Sequence, residues 1–145
     1  AVGARAARAV SRPRCVLLEW IDPPYRSGHW NPELVEIAGG IEPLGRRGDK
    51  AAPTSWELVL EARPEVLVLA CCGYDAERTR RDLPLLACRP GWAELPAVRD
   101  DRVFVVDGCV HFSRPGPRLI DSLELLAGFL HDHPRLRSTT ALPTR

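Results

Sequence analysis

Three continuous apolar runs divide the chain and predict three buried strands. They cover Cys15 to Trp20, Glu65 to Cys71 and Arg102 to Asp107. Their apolar residues follow one another without alternation, which is typical of strands that are covered on both faces and paired in parallel. A shorter apolar segment, Ile41 to Leu44, predicts a fourth strand.

Two helix starts are marked by capping residues between these strands. Asn31-Pro32-Glu33 predicts a short helix with Asn31 as its N-cap, and Gly39-Gly40 predicts its end. The segment Thr54 to Glu57 has the pattern of a capping box, in which Thr54 and Glu57 satisfy each other's end of the backbone. The sequence therefore predicts helices directly after the first strand and directly before the second.

Two further helices are predicted in the second half of the chain. Asp75 is a cap for one of them, which we expect Pro84 to bend or end. The other covers Pro115 to Leu130, because apolar residues recur there at three- and four-residue spacing. Its predicted apolar face consists of Leu119, Ile120, Leu123, Leu126, Phe129 and Leu130.

Strands that alternate with helices predict an α/β fold, a three-layer sandwich with a mostly parallel central sheet. We expect residues 14–131 to form this domain. Residues 1–13 are expected to be a linker or the end of a preceding helix, and residues 132–145 a flexible tail, because periodicity is lost there.

Composition narrows the range of function classes. The chain has 145 residues, a net charge of +1 and 45% hydrophobic residues, which is typical of one globular domain. The near-neutral charge gives no field that would gather nucleic acid or an anionic membrane surface. The five cysteines form no C-x-x-C pair, so we expect reduced thiols and no resident cofactor or metal.

Signatures of common enzymes are absent from the sequence. No G-x-G-x-x-G follows a predicted strand, and neither G-x-S-x-G nor H-E-x-x-H occurs. We therefore expect a protein that is not an enzyme. The alternative of another class is a cytosolic thiol- or metal-dependent enzyme that uses Cys72, His29 and His111, because thiolate and imidazole are ligands for soft metals.

Bulky side chains follow each of the three strands. Ligands of open α/β sheets bind at the carboxyl ends of the strands, and a wide aromatic wall there suits a large, flat organic ligand. The alternative is that these aromatic residues simply cap the core. The candidate ligand-binding residues are Asp22, Tyr25, His29, Trp30, Cys72, Tyr74, His111, Phe112 and Arg114.

Two of these candidates have specific chemistry. Arg114 precedes the last predicted helix, where free N–H groups favour anions, so it could bind an anionic or amide group of a ligand or else pair with Asp107. His111 could enter the coordination sphere of a metal that a corrinoid or heme ligand brings with it, or could pack against that ligand.

Several motifs in the same order resemble the C-terminal lobe of the periplasmic-binding proteins for cobalamin and iron chelates. The resemblance spans Arg14 to Leu130 and is greatest to the cobalamin-binding branch of ABC transporters. The motifs that carry it are Glu19 to Tyr25, Ser27 to Trp30, Glu33 to Gly40, Ser55 to Leu60 and Phe112 to Arg118.

This resemblance implies a function in uptake. In the family, two α/β lobes joined by a rigid helix close over a ligand, so the chain is expected to be one lobe of a substrate-binding component that recognises a corrinoid such as cobalamin. A ferric siderophore or heme is the alternative ligand. Anionic siderophores would be favoured by cationic side chains on the wall, for which Arg26, Arg78 and Arg114 are the candidates.

The resemblance also implies roles for individual residues. Tyr25 would contribute to the ligand wall, and the segment His111 to Arg114 would face the cleft. Glu57 would dock on an arginine pocket of the membrane permease, with a capping role as the competing interpretation. His111 stands where a tryptophan occurs in the best-known cobalamin binder, and Val110 stands where that protein has an acid.

The resemblance covers half of a two-lobed protein. A complete cleft would need the N-terminal lobe or a second subunit, and uptake would need an ABC permease. The family is periplasmic or exposed at the cell surface. No signal peptide or lipid-anchoring cysteine is recognisable near Ala1, which fits a fragment or a cytosolic relative.

Overall fold

The computed structural model describes residues 12–113 and 116–131. The predicted tail at 132–145, Arg114 and all but two residues of the predicted linker at 1–13 lie outside this range. The strands are β1 (Cys15–Ile21), β2 (Pro24–Arg26), β3 (Ala52–Pro53), β4 (Val66–Leu69) and β5 (Val103–Val105). The helices are α1 (Asn31–Ile37), α2 (Trp56–Ala62), α3 (Ala76–Ala87), α4 (Pro96–Arg99), α5 (Gly108–His111) and α6 (Arg118–His131), with a 3-10 helix at Trp92–Glu94.

The five strands form one mixed sheet in the order β3-β2-β1-β4-β5. β4 pairs in parallel with both β1 and β5. β2 forms an antiparallel hairpin with β1, and β3 is antiparallel to β2. The predicted α/β fold is confirmed, with a parallel centre and an antiparallel edge.

Alternation along β1 divides the core into two layers. Cys15 and Leu17 pack with α1 and α6 on one face of the sheet, whereas Val16 and Leu18 pack with α2 and α3 on the other. All four side chains have no exposed surface, as expected for a strand covered on both faces. Helices on both sides of the sheet give the predicted three layers.

The observed strands differ from those expected from the sequence at two places. Ile41 to Leu44 is not a strand and makes only one parallel bridge, between Ile41 and Arg14. The segment after β1 is not a simple loop, because Pro24–Arg26 forms β2 and pairs with β1 and β3. Strands of two or three residues with a leading proline carry too little periodicity to be recognised in a sequence.

Two predicted caps are displaced by one residue. Asn31 lies inside α1, and the residue before the helix is Trp30, which makes no side-chain cap. Ser55, not Thr54, caps α2: its Oγ accepts a hydrogen bond from the Leu58 N–H at 3.2 Å. Glu57 is consequently the second residue of the helix and cannot complete a capping box, which needs the third.

The later helices agree more closely with the sequence. Asp75 caps α3, as predicted, by accepting from the Arg78 N–H at 2.8 Å. Pro84 does not end this helix, which continues to Ala87. In α6 the predicted apolar face is buried or half-buried except for Ile120, which is 65% exposed because the sheet and α1 cover only the stripe containing the other residues. None of the helices in the described ranges is long and apolar enough to cross a membrane.

Candidate functional site

A cavity of about 460 Å³ lies at the carboxyl end of the central strands. This is the edge at which open α/β sheets bind ligands. It is formed by the end of β1, the strand β2 with the turn before it, the loop before α1, the residue before β3 and the segments after β4 and α5. Its lining residues are Glu19, Trp20, Pro23, Tyr25, His29, Trp30, Ala51, Cys72, Phe112 and Ser113.

An aromatic row forms one wall of this cavity. Trp20 and Tyr25 are cross-strand partners in the β1–β2 pairing, so their side chains lie side by side on the same face of the sheet. Behind them, the ring of Tyr74 lies 4.8 Å from that of Trp20, and the Arg78 guanidinium stacks over Tyr74 at 4.7 Å. The row supplies a broad, half-buried surface suited to a planar ligand.

Hydrogen bonds fix the loop that carries His29 and Trp30. The Gly28 N–H donates to Glu19 Oε2 at 2.8 Å, and the His29 N–H donates to the Asp49 carbonyl at 2.5 Å. These bonds hold His29 in the left-handed region, with φ of 56°. The imidazole is exposed at the cavity, and its ring centroid lies 5.5 Å from that of Trp30.

Glu19 is the acid within the cavity lining. Burial raises its pKa above the usual value of 4.5, opposed by hydrogen bonds from the Gly28 N–H and the Asn31 amide and by the charge of His29. Asn31 also donates to the Phe112 carbonyl at 3.3 Å. Through Asn31, the end of β1 and the segment after α5 are joined beneath the cavity.

The structure brings five of the nine predicted ligand-binding residues to the cavity: Tyr25, His29, Trp30, Cys72 and Phe112. Phe112 requires a correction, because its side chain is only 1% exposed and packs in the core beneath the cavity. It supports the floor and does not present a free aromatic face. Its burial is that of a core residue, which is the alternative that the sequence left open for the aromatic residues at this edge.

The remaining predicted residues lie elsewhere. Asp22 points away from the cavity and pairs with Arg89 at 3.0 Å. Tyr74 lies behind Trp20 instead of in the lining. His111 ends α5, where its carbonyl accepts a hydrogen bond from the Ser122 hydroxyl. Arg114 is outside the described residues.

Three arginines were candidates for contact with an anionic ligand, and the structure describes two of them, Arg26 and Arg78. Neither of these two lines the cavity. Arg78 is paired with Asp82 at 2.7 Å, and Arg26 lines a different cavity on the other side of β2. The described part of the lining is therefore aromatic and apolar with a few neutral or acidic polar groups.

Two residues of the thiol- or metal-dependent alternative, His29 and Cys72, line the cavity, whereas His111 is not in the lining within the described part of the chain. There, no three His, Cys, Asp or Glu side chains are grouped so that they could hold a metal ion. The adjacent cysteines differ in exposure: Cys71 is buried and Cys72 is exposed. Burial raises the pKa of the Cys71 thiol to about 11, which leaves that sulfur protonated and unreactive at neutral pH.

Some lining residues were not among the nine predicted ligand-binding residues. Trp20 and Glu19 end the first apolar run, and their signal is the appearance of a large polar-tipped aromatic and an acid in an otherwise aliphatic strand. Ser113 lies in the segment that the resemblance places at the cleft. Ala51 carries no chemical signal, because it reaches the cavity only through the pairing of β3 with β2.

Glu57 lies away from the cavity, exposed in the first turn of α2. Its carboxylate has no hydrogen bond or ion pair with any residue in the described ranges. Because Ser55 provides the cap, a capping-box role no longer competes for this side chain, although its charge is still favourable in the first turn of the helix.

The model of the periplasmic binding protein family matches residues 6–108, more than half of the chain. The chain therefore belongs to that family, and the fold described above matches one lobe of a periplasmic binding protein. No curated protein gives a significant sequence match.

Solved structures show the same fold. The chain is similar to an ABC transporter substrate-binding protein from Listeria monocytogenes EGD-e, with a TM-score of 0.76, 18% identity and coverage of 90% of this chain and 52% of that one. The periplasmic heme-binding protein RhuT from Roseiflexus sp. RS-1 gives a TM-score of 0.71, 25% identity and coverage of 91% and 51%. The periplasmic vitamin B12 binding protein BtuF of Vibrio cholerae gives a TM-score of 0.68 and 20% identity, with coverage of 91% of this chain and 49% of that one. The chain spans about half the length of these proteins.

Proposed function

We propose that this chain provides one wall of the binding site for a corrinoid such as cobalamin, in the substrate-binding component of an ABC-type uptake system. The observation that carries this proposal is the aromatic cavity at the carboxyl edge of the sheet, with Trp20 and Tyr25 side by side and Trp30 beside His29. A large, flat ligand can stack on such a wall, while the few polar tips orient it. The function requires binding and release without chemistry on the ligand.

The size of the half-cavity supports a ligand that extends beyond this lobe. A volume of about 460 Å³ accommodates part of a large chelate, and the remainder would contact a second lobe. The V. cholerae relative is a vitamin B12 binding protein, and the cavity edge carries no described arginine that would select a polyanion. Both observations favour a tetrapyrrole-type ligand.

Heme is the second candidate ligand, and one specific observation favours it. His29 presents an exposed imidazole at the cavity, fixed by its backbone hydrogen bond to Asp49, and imidazole is a common axial ligand of heme iron. The Roseiflexus relative, at 25% identity, is a heme-binding protein. The two candidates share the same aromatic wall and differ in the metal that His29 would meet.

Titration of the purified protein with aquocobalamin, cyanocobalamin, heme and a ferric catecholate tests the ligand class. Visible spectra and thermal unfolding are followed together. We expect saturable binding of a corrinoid, with a rise in the unfolding temperature because the ligand binds only the folded state. Saturation by heme alone would establish the second candidate, and saturation by the catecholate alone would contradict both.

Variants locate the site. Tyr25→Ala should weaken binding about tenfold, because a half-buried aromatic anchor is lost. Leu58→Ala is the matched control, since Leu58 is 46% exposed and lies outside the cavity. If the imidazole of His29 coordinates the metal of the ligand, binding should shift the absorption bands of that metal. His29→Ala should then abolish the shift. Equal affinities of the Tyr25 and Leu58 variants would place the ligand elsewhere.

We further propose that Glu57 docks the lobe on the permease. The exposed position of its carboxylate at the start of α2 and the absence of a capping role support this. In cells that carry Glu57→Ala, uptake of the ligand should fall while binding by the purified variant is unchanged. Glu61→Ala on the same helix is the matched control. Normal uptake by the Glu57 variant would contradict the proposal.

A further inference from the structure

A second cavity, of about 530 Å³, lies on the opposite side of β2 from the ligand cavity. The two share no lining residue. Successive residues of a strand point to opposite faces, so Tyr25 lines the first cavity and Arg26 the second. The second cavity lies between the hairpin, the loop after Glu42 and the start of α2.

Two arginines dominate the chemistry of this second cavity. Arg26 and Arg46 both line it, and neither has an ion pair with a described residue. The Nη1 atom of Arg26 is buried and has no hydrogen-bond partner within the described part of the chain. A buried guanidinium N–H without an acceptor is costly, so a ligand oxygen that reached this atom would be bound favourably.

Other lining groups determine the kind of acceptor that fits. Ser55 Oγ accepts from the Leu58 N–H, which leaves its own proton available to a ligand, and Thr54 contributes a second hydroxyl. Asp49 is the one acid in the described lining, so two guanidinium groups face one carboxylate. The lining is thus rich in donors and carries a net positive charge.

We propose that this second cavity binds a small oxyanion, a carboxylate or a phosphate, held by the guanidinium groups of Arg26 and Arg46 and the hydroxyl of Ser55. Guanidinium groups present paired N–H donors that match the oxygens of both anions. The site is separate from the proposed chelate site and does not depend on it. The anion is either free in solution or a terminal group of a larger molecule.

Calorimetric titration of the purified protein at constant ionic strength tests the site, with inorganic phosphate, malonate and phenyl phosphate as probes. We expect saturable binding by at least one of them. Phenyl phosphate binding more tightly than inorganic phosphate would indicate a terminal group of a larger molecule, and the reverse order would indicate a free anion. Constant ionic strength separates a specific site from general screening.

Four variants decide which residues hold the anion. Arg26→Gln and Arg46→Gln should each weaken binding about tenfold, because a charge-assisted hydrogen bond is lost. Asp49→Asn should strengthen binding by removing repulsion. Arg47→Gln is the matched control: Arg47 is adjacent in the chain but lies outside the cavity and pairs with Glu33 at 2.9 Å.

Two results would overturn the proposal. One is the absence of saturable binding for all three probes. The other is the same affinity in the Arg46 and Arg47 variants, since this would show that the anion responds only to overall charge. Because Arg46 is exposed, we expect Arg46→Gln to fold. Its affinity can therefore be compared with that of Arg47→Gln even if Arg26→Gln does not fold. Chelate binding, measured in the Arg46 and Arg47 variants, is expected to be unchanged.

Discussion

The parallel and antiparallel parts of the sheet contrast in burial. Every residue of β4 and β5 is buried, and β1 is buried except near its carboxyl end. The antiparallel strands β2 and β3 are mostly half-buried or exposed. The parallel part lies between two helical layers, whereas the antiparallel strands lie at the edge of the sheet.

This difference separates stability from recognition. A strand enclosed on both faces contributes its side chains to the core and has none left for a ligand. A half-buried strand can direct one residue into each of two cavities, as β2 does with Tyr25 and Arg26. The parallel strands hold the edge in place, and the hairpin carries much of the surface that a ligand would contact.

The largest expected effect belongs to the parallel part. Phe104 has no exposed surface and stacks on Phe129 with ring centroids 4.1 Å apart. Phe104→Ala should lower the free energy of unfolding by about 3–5 kcal/mol, because it leaves a cavity in the core. Urea denaturation measures this. Tyr25→Ala in the hairpin should cost clearly less, and equal losses would remove the contrast between the two parts.

A smaller effect is expected where the hairpin meets the cavity. A Cβ at Gly28 would overlap the backbone of Lys50 and Ala51, so Gly28→Ala must displace the start of β3. We expect a loss of about 1–3 kcal/mol in unfolding free energy, together with weaker chelate binding. The control is Gly48→Ala, where a Cβ meets nothing within 4 Å, although its φ of 82° still strains an alanine. Unchanged chelate binding by the Gly28 variant would contradict the proposed position of the site.

The smallest expected effect is a pH-dependent change in the free energy of unfolding that is due to Glu42. This residue joins the loop after β2 to β1. Its Oε2 accepts from the Leu17 N–H at 2.9 Å and the Ser27 hydroxyl at 3.1 Å, while Oε1 accepts from the N–H groups of Leu44 and Gly45. Burial nevertheless raises the pKa of Glu42 above its usual 4.5, against the effect of these four donors.

The sign of the pH effect follows from this raised pKa. As pH falls through the folded-state pKa towards 4.5, the folded state takes up a proton before the unfolded state does, so folding is favoured. The stability of the native protein relative to Glu42→Gln should therefore rise over that window and stay constant below it. Denaturation at several pH values measures the difference, with Glu61→Gln as the exposed control. A difference that is independent of pH would show that Glu42 has the same pKa in both states.

Prediction from the sequence succeeded where the signal was long and local. The run from Cys15 identified β1 because seven residues are buried or nearly so, and Asp75 was recognised because a cap depends on neighbouring backbone atoms. The hairpin strands and the true cap at Ser55 were missed. Short elements depend on what pairs with them, and a cap can move by one residue with little change in sequence pattern.

The candidate site shows the same division. Tyr25, His29 and Trp30 were found because they cluster in one loop region after a strand. The burial of Phe112 and the pairing of Asp22 with Arg89 were not predicted, because the sequence does not show that one side chain turns into the core and the other meets an arginine distant in the chain. Periodicity reports burial along an element, but it does not report the direction of a single loop residue.

The sequence by itself determined the α/β order of elements, the buried parallel strands and an aromatic edge at their carboxyl ends. These follow from local patterns of apolar residues and caps, which act over one or two turns of a helix or a few residues of a strand. Only the tertiary structure decided the antiparallel hairpin, the pairing of Trp20 with Tyr25, and the division of Tyr25 and Arg26 between two cavities. These features arise from contacts between segments far apart in the chain, which depend on how the whole sheet is assembled.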